Sequence, residues 1–71
     1  MNIVHRMTDI DLLHAAARLL GINAEQLMLR YYGSRRDART EMEELNRTGR
    51  LQASFAAMLL AEVGRQQPVA A

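Results

Sequence analysis

The chain has no cysteine, no tryptophan and a single proline in 71 residues. Without cysteine it can form neither a disulfide bond nor a thiolate metal site. It also lacks any apolar run close to the roughly 18 residues that a membrane span requires. We therefore expect a soluble cytoplasmic protein. A domain this small without covalent cross-links is expected to gain stability by forming a homodimer.

The sequence has no excess of charge of either sign. Nine basic and eight acidic residues give a formal net charge of +1, which neither requires nor excludes a nucleic-acid partner. All nine basic residues are arginines, whose planar guanidinium group suits phosphates and carboxylates. With 49% hydrophobic and 24% charged residues, the composition is typical of a globular domain rather than a disordered chain.

Three glycines divide a chain that otherwise consists of helix-forming residues, and this pattern predicts a small all-α domain of four helices. The dividing residues are Gly21, Gly33 and Gly49. We expect a single domain over residues 1–64 and a flexible C-terminal tail over residues 65–71.

The first predicted helix begins after Thr8, a favourable N-cap residue. Asp9 and Asp11 lie in its first turn, where carboxylates meet the positive end of the helix dipole, and this role explains them better than a catalytic pair does. Gly21 stands where a left-handed C-cap is needed. Residues at helical spacing form the predicted inner face, namely Ile10, Leu13, Ala17 and Leu20.

The second predicted helix has a clear beginning and end. Asn23 is its N-cap, and Gln26, three residues later, can complete a capping box. Ile22 before the cap and Leu27 inside the helix are placed to form a hydrophobic staple. The helix is expected to close at Gly33.

The third predicted helix runs from the N-cap Ser34 to about Thr48. Its first turn contains Arg35 and Arg36, which the helix dipole disfavours, so another role is expected for them. Its predicted ion pairs across one turn are Arg39–Glu43 and Glu43–Arg47. Its narrow apolar stripe consists of Ala38, Met42 and Leu45.

The fourth predicted helix, near residues 50–63, is apolar on nearly every side. Such a helix lies either at the centre of a core or at an interface. We expect it to close the core and to build a homodimer. The residues predicted for the dimer interface are Leu51, Phe55, Met58 and Leu59.

The stretch AAARLLGIN (residues 15–23), followed by Leu27, resembles the helix-turn-helix of Fis and of the C-terminal domains of bacterial enhancer-binding activators. The resemblance covers about residues 12–33 and implies a helix-turn-helix over about residues 8–33. Its second helix would lie in the major groove of DNA. On that helix, Leu27 and Tyr31 are expected to face inward, and the outward residues would be Glu25, Leu29 and Tyr32.

The resemblance implies two kinds of DNA contact. Gln26 and Arg30 would read bases, since an amide can pair with adenine and a guanidinium with guanine. Three further arginines would hold phosphates, although the same cluster is also explained as a solvated face balanced by nearby carboxylates. These are Arg35, Arg36 and Arg39.

The leading hypothesis is therefore a small DNA-binding transcriptional regulator. The alternative is a non-enzymatic protein-interaction module, an inhibitor or adaptor, that binds a protein partner through exposed apolar anchors on the same helix. Those anchors would be Met28, Leu29 and Tyr32.

No residue pattern indicates catalysis or a cofactor. The sequence contains no nucleophile–base arrangement, glycine-rich phosphate loop or paired acid cluster. His5 and His14 lack the i, i+4 spacing of a helical metal pair. We expect a protein that is not an enzyme and holds no metal.

Overall fold

The computed structural model describes residues 7–66, which form four helices and no strand. The all-α prediction is confirmed. His5 and residues 67–71 lie outside the described residues. The helices are α1 (Asp9–Leu19), α2 (Ala24–Tyr32), α3 (Arg35–Thr48) and α4 (Ala53–Gln66).

The turn between α1 and α2 is built from two consecutive capping motifs. Gly21 has a φ of 73°, in the left-handed region that favours glycine. The amides of Gly21 and Ile22 donate to the carbonyls of Arg18 and Ala17, at 3.1 and 3.0 Å, which closes α1 as a Schellman motif. Ile22 is partly buried against the core. The chain therefore leaves α1 in a fixed direction and enters α2 within four residues.

The beginnings of the first three helices are capped as predicted. Thr8 accepts a hydrogen bond from the Asp11 amide at 3.1 Å, and Ser34 accepts one from the Asp37 amide at 3.1 Å. Asn23 forms the predicted capping box of α2. Each side chain satisfies an amide that has no partner inside its own helix.

The core lies between two helix pairs, since α1 packs mainly against α4 and α2 mainly against α3. An aromatic cluster joins the pairs: the Tyr31 ring stacks on Phe55 at 4.4 Å between centroids, and Tyr32 meets the same ring edge-on at 5.4 Å. The fully buried side chains with the largest volumes are Phe55, Leu13, Met28, Leu45, Leu59 and Val63.

One expectation about burial in α1 and one in the C-terminal part of the chain are wrong. Ile10 is 40% exposed, because α1 turns a different side to α4; that side carries Leu12, Leu13, Ala16 and Ala17. Leu51, Phe55 and Leu59, predicted for the dimer interface, lie in the core of their own chain and offer nothing to a second copy. Of that predicted set, only Met58 is on the surface, at 39% exposure.

The boundaries of α4 also differ from the prediction. The helix begins at Ala53 rather than near Arg50, and it runs to Gln66, so Arg65 belongs to α4 rather than to a tail. Its beginning is held by distant side chains: Asp9 accepts a hydrogen bond from the Leu51 amide at 2.7 Å. Glu41 likewise accepts one from the Gln52 amide at 3.0 Å. Both carboxylates stand near the positive end of the helix dipole.

Candidate nucleic-acid interface

The surface of α2 is rotated relative to the sequence prediction. Leu27 is buried as expected, but Met28 is only 1% exposed and Tyr31 is 37% exposed. The cause is that α3 packs along α2 beside Met28, while Phe55 of α4 draws both tyrosines to the α2–α4 junction. The exposed residues of α2 are Glu25, Gln26, Leu29, Arg30 and, beside α4, Tyr31.

This rotation brings the two predicted base-reading residues to the outside. At about 100° per residue, Gln26 lies between Leu29 and Arg30 on the side opposite the core, and Glu25 lies at the edge. We call Gln26, Leu29 and Arg30 the α2 ridge. Tyr32, which was expected on this outer face, is partly buried against the core instead.

The capping box restricts what Gln26 can do. Its Oε1 accepts a hydrogen bond from the Asn23 amide at 2.9 Å, while its own backbone amide donates to Asn23 Oδ1 at 2.8 Å. A bidentate contact with adenine needs both the oxygen and the nitrogen of the side-chain amide. In this conformation Oε1 is held at the backbone of Asn23 with one lone pair already used, and Nε2 is the atom of the side-chain amide that has no hydrogen bond within residues 7–66.

Two grooves flank the α2 ridge. The α2–α3 groove has a volume of about 540 Å³ and contains Gln26, Arg35 and Arg39 together with Leu29. The α2–α4 groove, of about 450 Å³, contains Arg30 on the other side. The structure thus brings Gln26, Arg35 and Arg39 together and separates Arg30 from them.

The glutamine and the four arginines assigned to DNA contacts are all exposed, as a docking surface requires. Arg30, Arg35 and Arg39 form no ion pair with any residue of 7–66, and Arg36, with its side chain 89% exposed, is 3.6 Å from Asp37. The predicted ion pairs Arg39–Glu43 and Glu43–Arg47 do not form within residues 7–66 either. Glu44 is the residue that pairs with Arg47, and this ion pair lowers the pKa of the Glu44 carboxyl.

The predicted apolar anchors are only partly available. Met28 is buried, and the prediction that it is exposed is wrong. The Tyr32 hydroxyl donates to Gln52 Oε1 at 3.2 Å. Burial, and then the neighbouring Glu41 carboxylate, raise the pKa of Tyr32 to about 12. Leu29, at 39% exposure, is the one anchor of the three that faces solvent.

Sequence reasoning missed residues that share these grooves. Glu25 and Glu43 line the α2–α3 groove beside its arginines. Arg65 lines the α2–α4 groove and is ion-paired with Glu62. The spacing of Met58, Glu62 and Arg65 would have placed all three on one side of a helix that continued past Val63.

Within residues 7–66 no cluster of three or more potential metal ligands occurs, and no helix is long and apolar enough to cross a membrane. Comparison of the sequence with protein-family models, with curated proteins and with solved structures finds no match.

Proposed function

We propose that this protein is a small DNA-binding transcriptional regulator in which α1 and α2 act as a helix-turn-helix and the α2 ridge enters the major groove. A helix in the major groove meets base edges with its outer side and has a phosphate backbone on either flank. The ridge carries two hydrogen-bond donors, Gln26 and Arg30, for base edges.

The observation that carries the proposal is the arrangement of arginines on both sides of the ridge. Arg35 and Arg39 line the α2–α3 groove, and Arg65, which is ion-paired with Glu62, lines the α2–α4 groove next to Arg30 of the ridge. Guanidinium groups on both flanks suit the two phosphate backbones that border a major groove. Arg36, which is almost fully exposed next to Arg35, extends the first of these two sets.

The presence of two arginines in the first turn of α3 also supports phosphate binding. Cations in the first turn of a helix oppose the helix dipole, so Arg35 and Arg36 do not serve the stability of α3. The N-terminus of a helix favours an anion, and arginines placed there increase that preference. A DNA phosphate is the anion that this surface would meet.

The proposal includes a homodimer, which would present two α2 helices to half-sites about 34 Å apart. Because the predicted interface residues other than Met58 are buried, a second copy would contact Met58 or other exposed apolar residues, such as Leu60 on the opposite flank of α4. Sedimentation analysis with and without DNA tests this part separately, and a monomer in both conditions would remove it.

Charge reversal tests the DNA proposal directly. Replacing Arg35 and Arg36 with Glu should abolish binding to duplex DNA at low salt. Any residual binding should have a salt dependence of log K that is shallower by about 1.8, or 0.9 for each phosphate that is no longer neutralised. The replacement puts carboxylates in the first turn of α3, which stabilises the helix. Weaker binding by this variant would therefore not be a consequence of unfolding.

The matched control reverses two arginines elsewhere, Arg18 in the last turn of α1 and the exposed Arg50 between α3 and α4, with the same change in net charge. This variant should retain much more affinity than the first one. Equal affinities of the two variants would mean that only net charge matters and would contradict the proposed surface. Failure of the wild-type protein to bind any duplex at low salt would reject the function.

A second candidate function is favoured by one specific observation. Leu29 is exposed beside the α2–α3 groove, whose lining includes Met28, Ala38 and Met42. A protein partner could insert an apolar side chain there. Such a partner would remain bound after nuclease digestion and after Arg35 and Arg36 are changed to Glu, and it would dissociate when Leu29 is changed to Ala.

A further inference from the structure

The α2 ridge combines one apolar side chain with two hydrogen-bond donors. Leu29 is 39% exposed, whereas the neighbouring residues Leu27 and Met28 are buried, so part of the Leu29 side chain is open to a ligand. Leu29 and Gln26 are three residues apart, and side chains at this spacing lie next to each other on a helix. A ligand that meets Gln26 therefore also meets a leucine.

The capping box decides which polar group Gln26 presents. Because Oε1 already accepts a hydrogen bond from the Asn23 amide, Nε2 is the atom of the side-chain amide with all of its hydrogen-bonding capacity free, and Nε2 can only donate. Within residues 7–66 no hydrogen bond involves Nε2. The guanidinium of Arg30 also only donates. The ridge is consequently matched to hydrogen-bond acceptors next to an apolar group.

One base edge has this combination. In the major groove thymine presents the O4 acceptor beside its 5-methyl group, while the other three bases have no methyl group. We propose, on the basis of the proposed DNA binding, that Leu29 is a specificity-determining residue that packs on a thymine 5-methyl group while Gln26 Nε2 donates to O4 of that base. The ridge would thus select sites that contain A·T pairs at this position.

The test compares thymine with uracil, which differs from it only by the methyl group. A random duplex pool of about 30 base pairs, long enough for two half-sites, is first enriched on the wild-type protein. The enriched sequence is then synthesised in its original form and in forms where uracil replaces thymine at one thymine position at a time. Wild-type protein should bind about fourfold more weakly for each contacted methyl group that is removed. The Leu29→Ala variant should bind both duplexes with equal affinity.

A control variant distinguishes a specific contact from a general reduction of apolar surface. Leu19→Ala removes a leucine that is 43% exposed on α1, outside the ridge, and should keep the full preference for thymine. Equal affinity of the wild-type protein for the two duplexes would overturn the role of Leu29 and leave DNA binding intact. A preference that persists in Leu29→Ala would overturn it as well. Absence of binding to any duplex would reject the proposed function together with this inference.

Discussion

The beginnings of α2 and α4 are stabilised in different ways. At α2, Asn23 and Gln26 are three residues apart in the sequence. Their reciprocal capping box satisfies the backbone amides of both residues. At α4, the Leu51 and Gln52 amides are satisfied by carboxylates 42 and 11 residues away in the sequence. One helix begins through local hydrogen bonds, and the other begins only where α1 and α3 have already been placed.

This difference has a consequence for stability. A local cap contributes whenever its own helix forms, so it favours α2 even in a partly folded chain. The carboxylates of Asp9 and Glu41 reach α4 only in the folded domain, so their contribution depends on the packing of α1 and α3 against the rest of the domain. We expect mutations at the two helix beginnings to be separable by experiment.

The largest expected effect comes from removing the side chain that holds α4 in place. Phe55→Ala should lower the free energy of unfolding by about 3–5 kcal/mol, because Phe55 is fully buried and contacts both Tyr31 and Tyr32. Met58→Ala, on the same helix but exposed, is the control and should cost less than about 1 kcal/mol. Urea unfolding followed by helical circular dichroism measures both. Similar destabilisation of the two variants would show that α4 does not pack as described.

The next effect isolates the distant cap of α4. Asp9→Ala should cost about 1–2 kcal/mol, because it leaves the Leu51 amide without its partner in a partly buried place. Asp11→Ala is the matched control, since both aspartates lie in the first turn of α1 and share its dipole. Asp9→Asn keeps an acceptor oxygen and should recover part of the stability. If Asp9→Ala and Asp11→Ala cost the same in urea unfolding, the hydrogen bond to α4 contributes nothing.

The same contrast explains how much of the fold could be predicted from the sequence. Each N-cap side chain accepts a hydrogen bond from the amide three residues later, so a short stretch of sequence contains the whole motif. These N-caps are Thr8, Asn23 and Ser34. The glycines that end helices are recognised in the same way, because their role depends only on the backbone conformation of one residue. The beginning of α4 has no such residue, and its prediction near Arg50 is wrong because Asp9 and Glu41 are far away in the sequence.

Prediction of the candidate site was limited in the same way. Helical periodicity predicts which residues of α2 share a face, but the face that becomes buried depends on where α3 and α4 pack. Met28 and Tyr31 exchange their expected environments because Phe55 lies beside the tyrosines and α3 beside Met28. Gln26 and Arg30, predicted to lie on the flanks of an outward face of Glu25, Leu29 and Tyr32, lie on the outer side themselves. The separation of Arg30 from Arg35 into different grooves could not be inferred without the tertiary structure.

The smallest expected effect belongs to the local cap. Asn23→Ala should cost about 1 kcal/mol, and Asn23→Asp, which keeps an acceptor for the Gln26 amide, should cost only a few tenths. Amide hydrogen exchange distinguishes the two kinds of helix beginning once each variant is corrected for its global stability. Asn23→Ala should accelerate hydrogen exchange at the Gln26 amide and leave the exchange rate of the Leu51 amide unchanged. Asp9→Ala should accelerate exchange at the Leu51 amide and leave that of Gln26 unchanged. Acceleration at both amides in either variant would mean that the two helix beginnings open together, because a cap that acts locally cannot alter protection across the domain.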